Sequence, residues 1–279
     1  MAKGLGLIGN FSGKVGNTVG YNLKDSNNKQ TQGVRVYQPV VRNPKTSAQA
    51  EQRARMDVIN ATYRALKAII QRGQEGEAYG NKSRLAWLSK AMKNYAGAWI
   101  NKGEAVNYPA IVALTKGSLS GISVSTVANT GFGITITAIG GGGTPNLGAL
   151  STAILSAYPA LKAGDQVTFV IVRSVSGSIM CQQDSIILDA TSEAAIPATL
   201  TVAGTTLTYA AAGAATDVAA GCIIVSREGS NGEHLRSNAS LVASSLTGMA
   251  AAMTNDAKTA AIQSYMAAGT SSDWAEVVA

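Results

Sequence analysis

The chain is short of the residues on which most catalytic and redox chemistry depends. It has one histidine and two cysteines in 279 residues. Ser/His/Asp or Cys/His catalysis would have to use His234, which falls in the turn-like stretch REGSNGEHLRS. A general base must be held within hydrogen-bond reach of its substrate, and an exposed turn histidine is poorly held. The carboxylates Asp184, Asp189, Glu193 and Asp217 are scattered, with no spacing that pairs them. Cys181 and Cys222 lie far apart in apolar, strand-like runs and read as reduced core thiols. Two Cys and one His cannot make a structural zinc site. The expectation is a non-enzyme without metal or cofactor.

Other absences narrow the class further. Charged residues are only 14% of the chain and aromatics 5%, but apolar residues reach 46%, a globular rather than a disordered balance. No run of 18 apolar residues occurs, and the Ala-rich stretch 207–225 contains Asp217, so no membrane span is expected. The opening MAKGLGLIGNFSGK has no sustained apolar core of the secretory type. The protein is therefore expected to be made and kept in a cytosol, or assembled there into something larger. GLGLIG (4–9) matches G-x-G-x-x-G literally, but lacks the preceding strand and following helix that would seat a pyrophosphate. GNFSGKV (9–15) is one residue short of a P-loop and has Val15 where a magnesium-binding hydroxyl belongs. Gly140–Gly143 has no lysine and reads as a loop.

What is present is unevenly spread. Residues 1–105 hold 17 Lys and Arg against 6 Asp and Glu, a net +11, and residues 106–279 are net −4. Residues 1–33 are rich in Gly, Asn and Ser and too polar to fold by apolar burial alone, so they read as an extended arm. VRVYQPVV (34–41) alternates like a short strand ended by Pro39.

The stretch RNPKTSAQAEQRARM (42–56) then marks a helix start. Pro44 stops the preceding element, and Thr46 with Gln49 has the spacing of a capping box. Met56, Ile59, Tyr63, Leu66 and Ile70 recur at helical spacing, giving a helix over 47–71 about 36 Å long. QRGQEGEAYG breaks it, and Leu85, Leu88, Met92, Tyr95 and Trp99 mark a second helix over 82–101. Two such stripes joined by a Gly-containing loop predict an antiparallel helical hairpin with these ten residues as its core.

After NYPAIVAL the period falls to two. Seven runs follow: SLSGISVSTVA, FGITITAI, DQVTFVIVRS, SIMCQQDSIIL, ATLTVAGTTLTY, AAGCIIVSRE and HLRSNASLVASS. They predict an antiparallel β-sandwich of immunoglobulin-like type, with a short helix around 150–158 inside the long insert 140–164. An Ala-rich helix over 246–268 follows, ended by Gly269. The fold class read from the sequence is thus α+β. It has a Gly-rich basic arm (1–43), a helical hairpin (44–105), a β-sandwich (106–245), and a C-terminal helix and tail (246–279).

The basic half supplies the candidate partner contacts. Lys3, Lys14, Lys24 and Lys29 ride on the arm, Arg42 and Lys45 precede the helix, and Arg53, Arg55, Arg64 and Lys67 lie along it. They could neutralise phosphates without reading sequence, or be the solvated face of a soluble helix.

SGKVGNTVGY (12–21) followed by VVRNPKTSAQAEQRARM (40–56) resembles a family of bacterial and phage proteins of uncharacterised function. Its members begin with an SGKVG-type segment, continue into an NPKT-x-x-Q-x-x-R helix start, and end in a β-rich domain. KGSLSGISV (116–124) and REGSNGEHLRSNASLV (227–242) resemble that pattern more loosely. The Ala/Gly-rich C-terminal helix departs from it. The resemblance carries no catalytic residues. It implies a virion structural protein, assembled in the bacterial cytoplasm and partnered by other virion proteins or by copies of itself. A sequence-independent nucleic-acid-binding protein and a surface adhesin or carbohydrate-binding module stand as alternatives.

Overall fold

The computed structural model describes residues 13–24, 30–37, 46–124, 126–128, 131–136, 146–175, 177–210, 217–229, 232–242 and 247–267. The chain divides into two compact units, residues 1–45 and 46–279.

In the first unit, β1 (Gly13–Val15), β2 (Thr18–Lys24) and β3 (Gln30–Val36) form an antiparallel three-stranded sheet in that order. Gly16, at φ 58, and Asn17 make the two-residue turn between β1 and β2, a geometry in which glycine avoids the Cβ strain of positive φ. The polar segment read as an extended arm therefore has ordered strands. Ladder hydrogen bonds satisfy its backbone where apolar burial is scarce. Val34, Arg35 and Val36 of the alternating 34–41 run belong to β3, and residues 38–41, with Pro39, lie outside the described residues.

The second unit is mixed α+β, with six helices among the described residues and antiparallel sheets. Helix α1 (Ser47–Ala65) begins at the expected cap, where the Thr46 hydroxyl accepts from the Gln49 N–H at 3.3 Å. The reciprocal half of the capping box is not made, because Gln49 Oε1 is buried without a donor. At Leu66 the chain leaves helical geometry, and α2 (Lys67–Ile70) follows as a separate turn. Helix α3 (Asn81–Lys93) stops short of the predicted 101. Beyond it Gly97 lies against Ala110, so close that a Cβ there would sit 3.1 Å from the Ala110 Cα.

Strand β4 (Ala113–Thr115) precedes β5 (Thr126–Ala128) and β6 (Gly131–Thr135). Helix α4 (Leu147–Ala157) comes next, capped by the Asn146 side chain. Then come β7 (Gln166–Val175), β8 (Ser178–Ile187), β9 (Leu200–Ala203), β10 (Thr206–Ala210), β11 (Asp217–Glu228), β12 (His234–Arg236) and β13 (Ala239–Ser240). The sheet orders are β5-β6-β10-β9, β12-β11-β7-β8 and β13-β4. Of the seven expected runs, the first gives a strand only at its end, the fifth splits into the hairpin β9–β10, and the last divides between two sheets. Helices α5 (Thr247–Ala252) and α6 (Asn255–Ala267) replace the single C-terminal helix expected over 246–268; Gly269 lies outside the described residues.

Two cores meet at the β12-β11-β7-β8 sheet. On one face Val167, Phe169, Ile171, Ile223 and Val225 pack with Phe132, Ile134, Leu207 and Tyr209 of the facing sheet, and Leu150 and Ile154 of α4 join them. On the other face Val170, Val172, Cys222 and Ile224 pack with Val58, Ile59, Leu66, Ile70, Trp87 and Leu114. The helices are thus a layer laid on a sheet. Helix α6 in turn covers Ala50 and Ala54 of α1 with Tyr265.

Candidate functional site

The ten residues expected as a hairpin core distribute unevenly. Ile59, Leu66 and Ile70 are buried, whereas Met56, Tyr63, Leu88, Met92, Tyr95 and Trp99 are half-buried. Leu85, expected in the core, is 52% exposed. The buried face of α3 is Ser83, Trp87 and Ala91, and at 100° per residue Leu85 points about 200° away from Trp87. Tyr95 and Trp99 lie past the end of α3. Trp87, which the periodic stripe passed over, is 1% exposed, and its indole N–H donates to the Ala113 carbonyl at 3.0 Å.

Of the basic candidates, Lys3, Lys29, Arg42 and Lys45 lie outside the described residues, and Lys24 falls in β2. Lys14 is exposed, with Nζ 3.6 Å from the centre of the Tyr37 ring. Arg53, Arg64 and Lys67 are exposed on their helices.

Arg55 is not a solvent-facing contact. It ion-pairs with Glu51, which Lys258 of α6 also reaches at 2.9 Å. Its guanidinium lies over the rings of Trp99 at 5.7 Å and Tyr95 at 5.8 Å. The Lys258 ammonium, then burial in the opposite sense, then Arg55 act on Glu51, and the balance holds its carboxyl below the usual range.

His234 is exposed but opens strand β12 and does not lie in a turn, and its ring lies 5.8 Å from that of Tyr79, an aromatic neighbour the sequence did not suggest. Asp184 accepts from the Tyr209 hydroxyl at 2.8 Å and from Thr199 at 3.0 Å, which makes it a structural acceptor between the sheets. Cys181 and Cys222 are free thiols, and burial pushes Cys181 up to about 11 and Cys222 higher still. Neither is a thiolate at neutral pH. No group of three or more His, Cys, Asp or Glu among the described residues could hold a metal ion. No helix among them is long and apolar enough to cross a membrane.

Two surfaces stand out. The first is the small sheet. Its register aligns Val15, Thr18 and Val36 in one row, with Gly13, Gly20 and Val34 on the same face. Val15 is 51% exposed, Val34 57% and Val36 71%. The opposite face carries Lys14, Val19 and Arg35 in one row, beside Tyr21, whose ring lies across Gly33. Arg35 was not singled out by the sequence, since nothing in an alternating run says which face it shares.

The second surface is a cleft of about 480 Å³ between the α2 end of the helical layer and the β12-β11-β7-β8 sheet. Arg72 and Gln71 line it from the turn after α2, Gln166, Thr168 and Ser226 from the sheet floor, and Arg236 from the edge strand. Burial, opposed by Tyr79 and reinforced by the positive charge of Arg72, holds Arg236 below the ordinary arginine range. Arg72 and Arg236 are 164 residues apart in sequence, which is why no local motif announces the pair.

No family model matches the chain, nor does any curated protein or solved structure.

Proposed function

We propose that the chain is a non-catalytic structural component of a phage-type virion, a module for assembly and docking. The exposed valine face of the small sheet carries this reading. A three-stranded sheet gains independent stability by covering an apolar face, and each valine taken out of water contributes about 1.5 kcal/mol or more. Val15, Val34 and Val36 are exposed together on that face, as a surface that neighbouring copies or other virion proteins complete. The resemblance of SGKVGNTVGY and the NPKT helix start to phage-associated proteins points the same way.

The reading extends to the large unit as an immunoglobulin-like sandwich. What supports it is the strand order. With β5 to β12 taken as A, B, C, C′, D, E, F and G, the two sheets run A-B-E-D and G-F-C-C′. The helical layer then sits on the outer face of the second sheet.

The test is light scattering and electron microscopy of the purified full-length chain. Concentration-dependent assembly is expected, and Val34→Asp with Val36→Asp should abolish it while leaving the far-ultraviolet spectrum unchanged. A wild-type chain that stays monomeric at every concentration, alone and with lysate from infected cells, would overturn the proposal. A second reading, sequence-independent nucleic-acid binding, is favoured by one observation: Lys14, Arg35 and Tyr21 share the opposite face of the same sheet. Lys14→Gln with Arg35→Gln should then remove salt-sensitive oligonucleotide binding without affecting assembly.

A further inference from the structure

We propose that the cleft between α2 and the β12-β11-β7-β8 sheet is a binding site for a phosphate group, held between Arg72 and Arg236. The inference does not rest on the assembly reading.

The first ground is charge. Both arginines line one cleft, and neither has an ion-pair partner among the described residues, the Arg236 side chain being bonded to the neutral Tyr79 hydroxyl. Like charges are normally kept apart or offset by a carboxylate, since they repel more strongly as water is excluded. Asp184 also lines the cleft, but its Oδ2 is engaged by Thr199 and Tyr209. Glu75 stands near Arg236 but accepts from its backbone N–H at 3.0 Å and from Ser118. Neither carboxylate forms an ion pair with Arg72 or Arg236 among the described residues.

The second ground is an unmet donor. Arg236 Nε is buried and has no acceptor. A buried N–H without a partner costs about 1–3 kcal/mol. It persists where a ligand supplies the missing oxygen or where the fold gains elsewhere. Glu75 anchors the Arg236 backbone, and Gly117 presses against the Arg236 carbonyl so closely that a Cβ would meet that oxygen at 2.0 Å. The edge strand is fixed in place, so the guanidinium is presented by a rigid support.

The third ground is the rest of the lining. Gln166, Gln183, Thr168 and Ser185 offer neutral amide and hydroxyl donors in the same cleft, where the Ser226 hydroxyl donates to Gln166 Oε1. A phosphate group carries up to two negative charges and several acceptor oxygens, which matches two arginines and a ring of donors. A single carboxylate would leave one positive charge unbalanced. Arginine's planar fork suits phosphate oxygens through paired N–H donors.

The phosphate could belong to a free small molecule or to a nucleic-acid backbone, and calorimetric titration distinguishes the two. Full-length protein is titrated at low ionic strength with pyrophosphate, with citrate, and with a ten-residue oligothymidylate. Pyrophosphate should bind with one-to-one stoichiometry. Arg72→Gln and Arg236→Gln should each weaken binding about tenfold or more, the equivalent of losing one charge-assisted hydrogen bond. Lys93→Gln, exposed in the last turn of α3 and outside the cleft, should leave it unchanged. Tighter binding of the oligonucleotide, lost in the same two variants, assigns the phosphate to a nucleic acid; tighter binding of pyrophosphate assigns it to a small molecule.

Three results would overturn the proposal: no heat at millimolar pyrophosphate, affinity unaltered by Arg72→Gln, or citrate bound more tightly than pyrophosphate. Should Arg236→Gln fail to fold, Arg72→Gln still decides, because Arg72 is exposed.

Discussion

Arg55→Ala is expected to destabilise the large unit by about 2 kcal/mol, and its neighbour Arg53→Ala by under 0.5 kcal/mol. The difference comes from surroundings, since both are arginines on α1. Arg53 is exposed. Arg55 has a side chain only 29% exposed, pairs with Glu51, and spreads its guanidinium over Trp99 and Tyr95. Each cation–π contact contributes about 0.5–1 kcal/mol, and a partly screened ion pair adds up to about 1. Glu51 retains Lys258 when Arg55 is lost, which limits the damage. Arg55 Nε is itself buried without an acceptor. Arg55→Met should therefore be milder than Arg55→Ala, because it keeps the stem on the aromatic rings and removes the unmet donor. Urea unfolding followed by tryptophan fluorescence measures all three. For a unit of this size Arg55→Ala should also lower the melting temperature by roughly 4–8 °C. If Arg55→Ala and Arg53→Ala differ by less than 0.5 kcal/mol, the packing argument is wrong and Arg55 is a surface charge after all.

Trp87→Ala should cost about 3–5 kcal/mol, through a cavity in the helix–sheet core and the Ala113 carbonyl left without its donor, whereas Leu85→Ala should be near neutral; thermal melts compare them directly. Thr46→Ala should cost about 1 kcal/mol through the lost cap, read by urea denaturation. Acid should weaken the fold through Asp165. Burial raises its pKa, but Arg227 at 2.6 and 2.7 Å and the Lys162 N–H outweigh burial and hold it below the usual carboxylate range. Its contribution is then complete above the unfolded carboxylate pKa of about 3.9 and is lost as pH falls through the folded value. Asp165→Asn should flatten the stability–pH curve between about pH 5 and pH 2, and an unchanged acid slope would contradict the assignment.

The sequence made some elements plain and hid others for definite reasons. The α1 start was legible because capping is local: Thr46 bonds a backbone group three residues away. The insert helix was expected around 150–158, and its Asn146 cap, which sets the start at Leu147, was passed over. The buried stripe of α1 was legible only in part. Ala50, Ala54 and Thr62 are as buried as Ile59, but alanine and threonine add little to an apolar pattern, and what covers Ala50 and Ala54 is a helix some two hundred residues later. The strands of the small sheet were obscured because their order comes from ladder hydrogen bonds and not from composition. The phosphate-site arginines were obscured because a turn after a helix and an edge strand meet only in the folded chain.

The placement of the helices was present in the sequence in a form that the helical stripes alone did not reveal. A strand buried on one face alternates, as β8 does with its burial of Ile186 between exposed Ser185 and Ile187. Strand β7 does not alternate over its centre: Phe169, Val170, Ile171 and Val172 are all buried. Strand β11 repeats the pattern with Cys222, Ile223, Ile224 and Val225. Consecutive apolar residues in a strand mean that both faces are covered. One face is taken by the opposing sheet through Phe132 and Tyr209. The other is covered by apolar residues of α1, α2 and α3. The hairpin could not have been a free-standing module while Val170, Val172, Cys222 and Ile224 lacked a partner. The unbroken runs in DQVTFVIVRS and AAGCIIVSRE are thus covered on both faces in the stack of helices, sheet and sheet. That stack brings the turn after α2 over the polar end of the same sheet face, and so places Arg72 opposite Arg236.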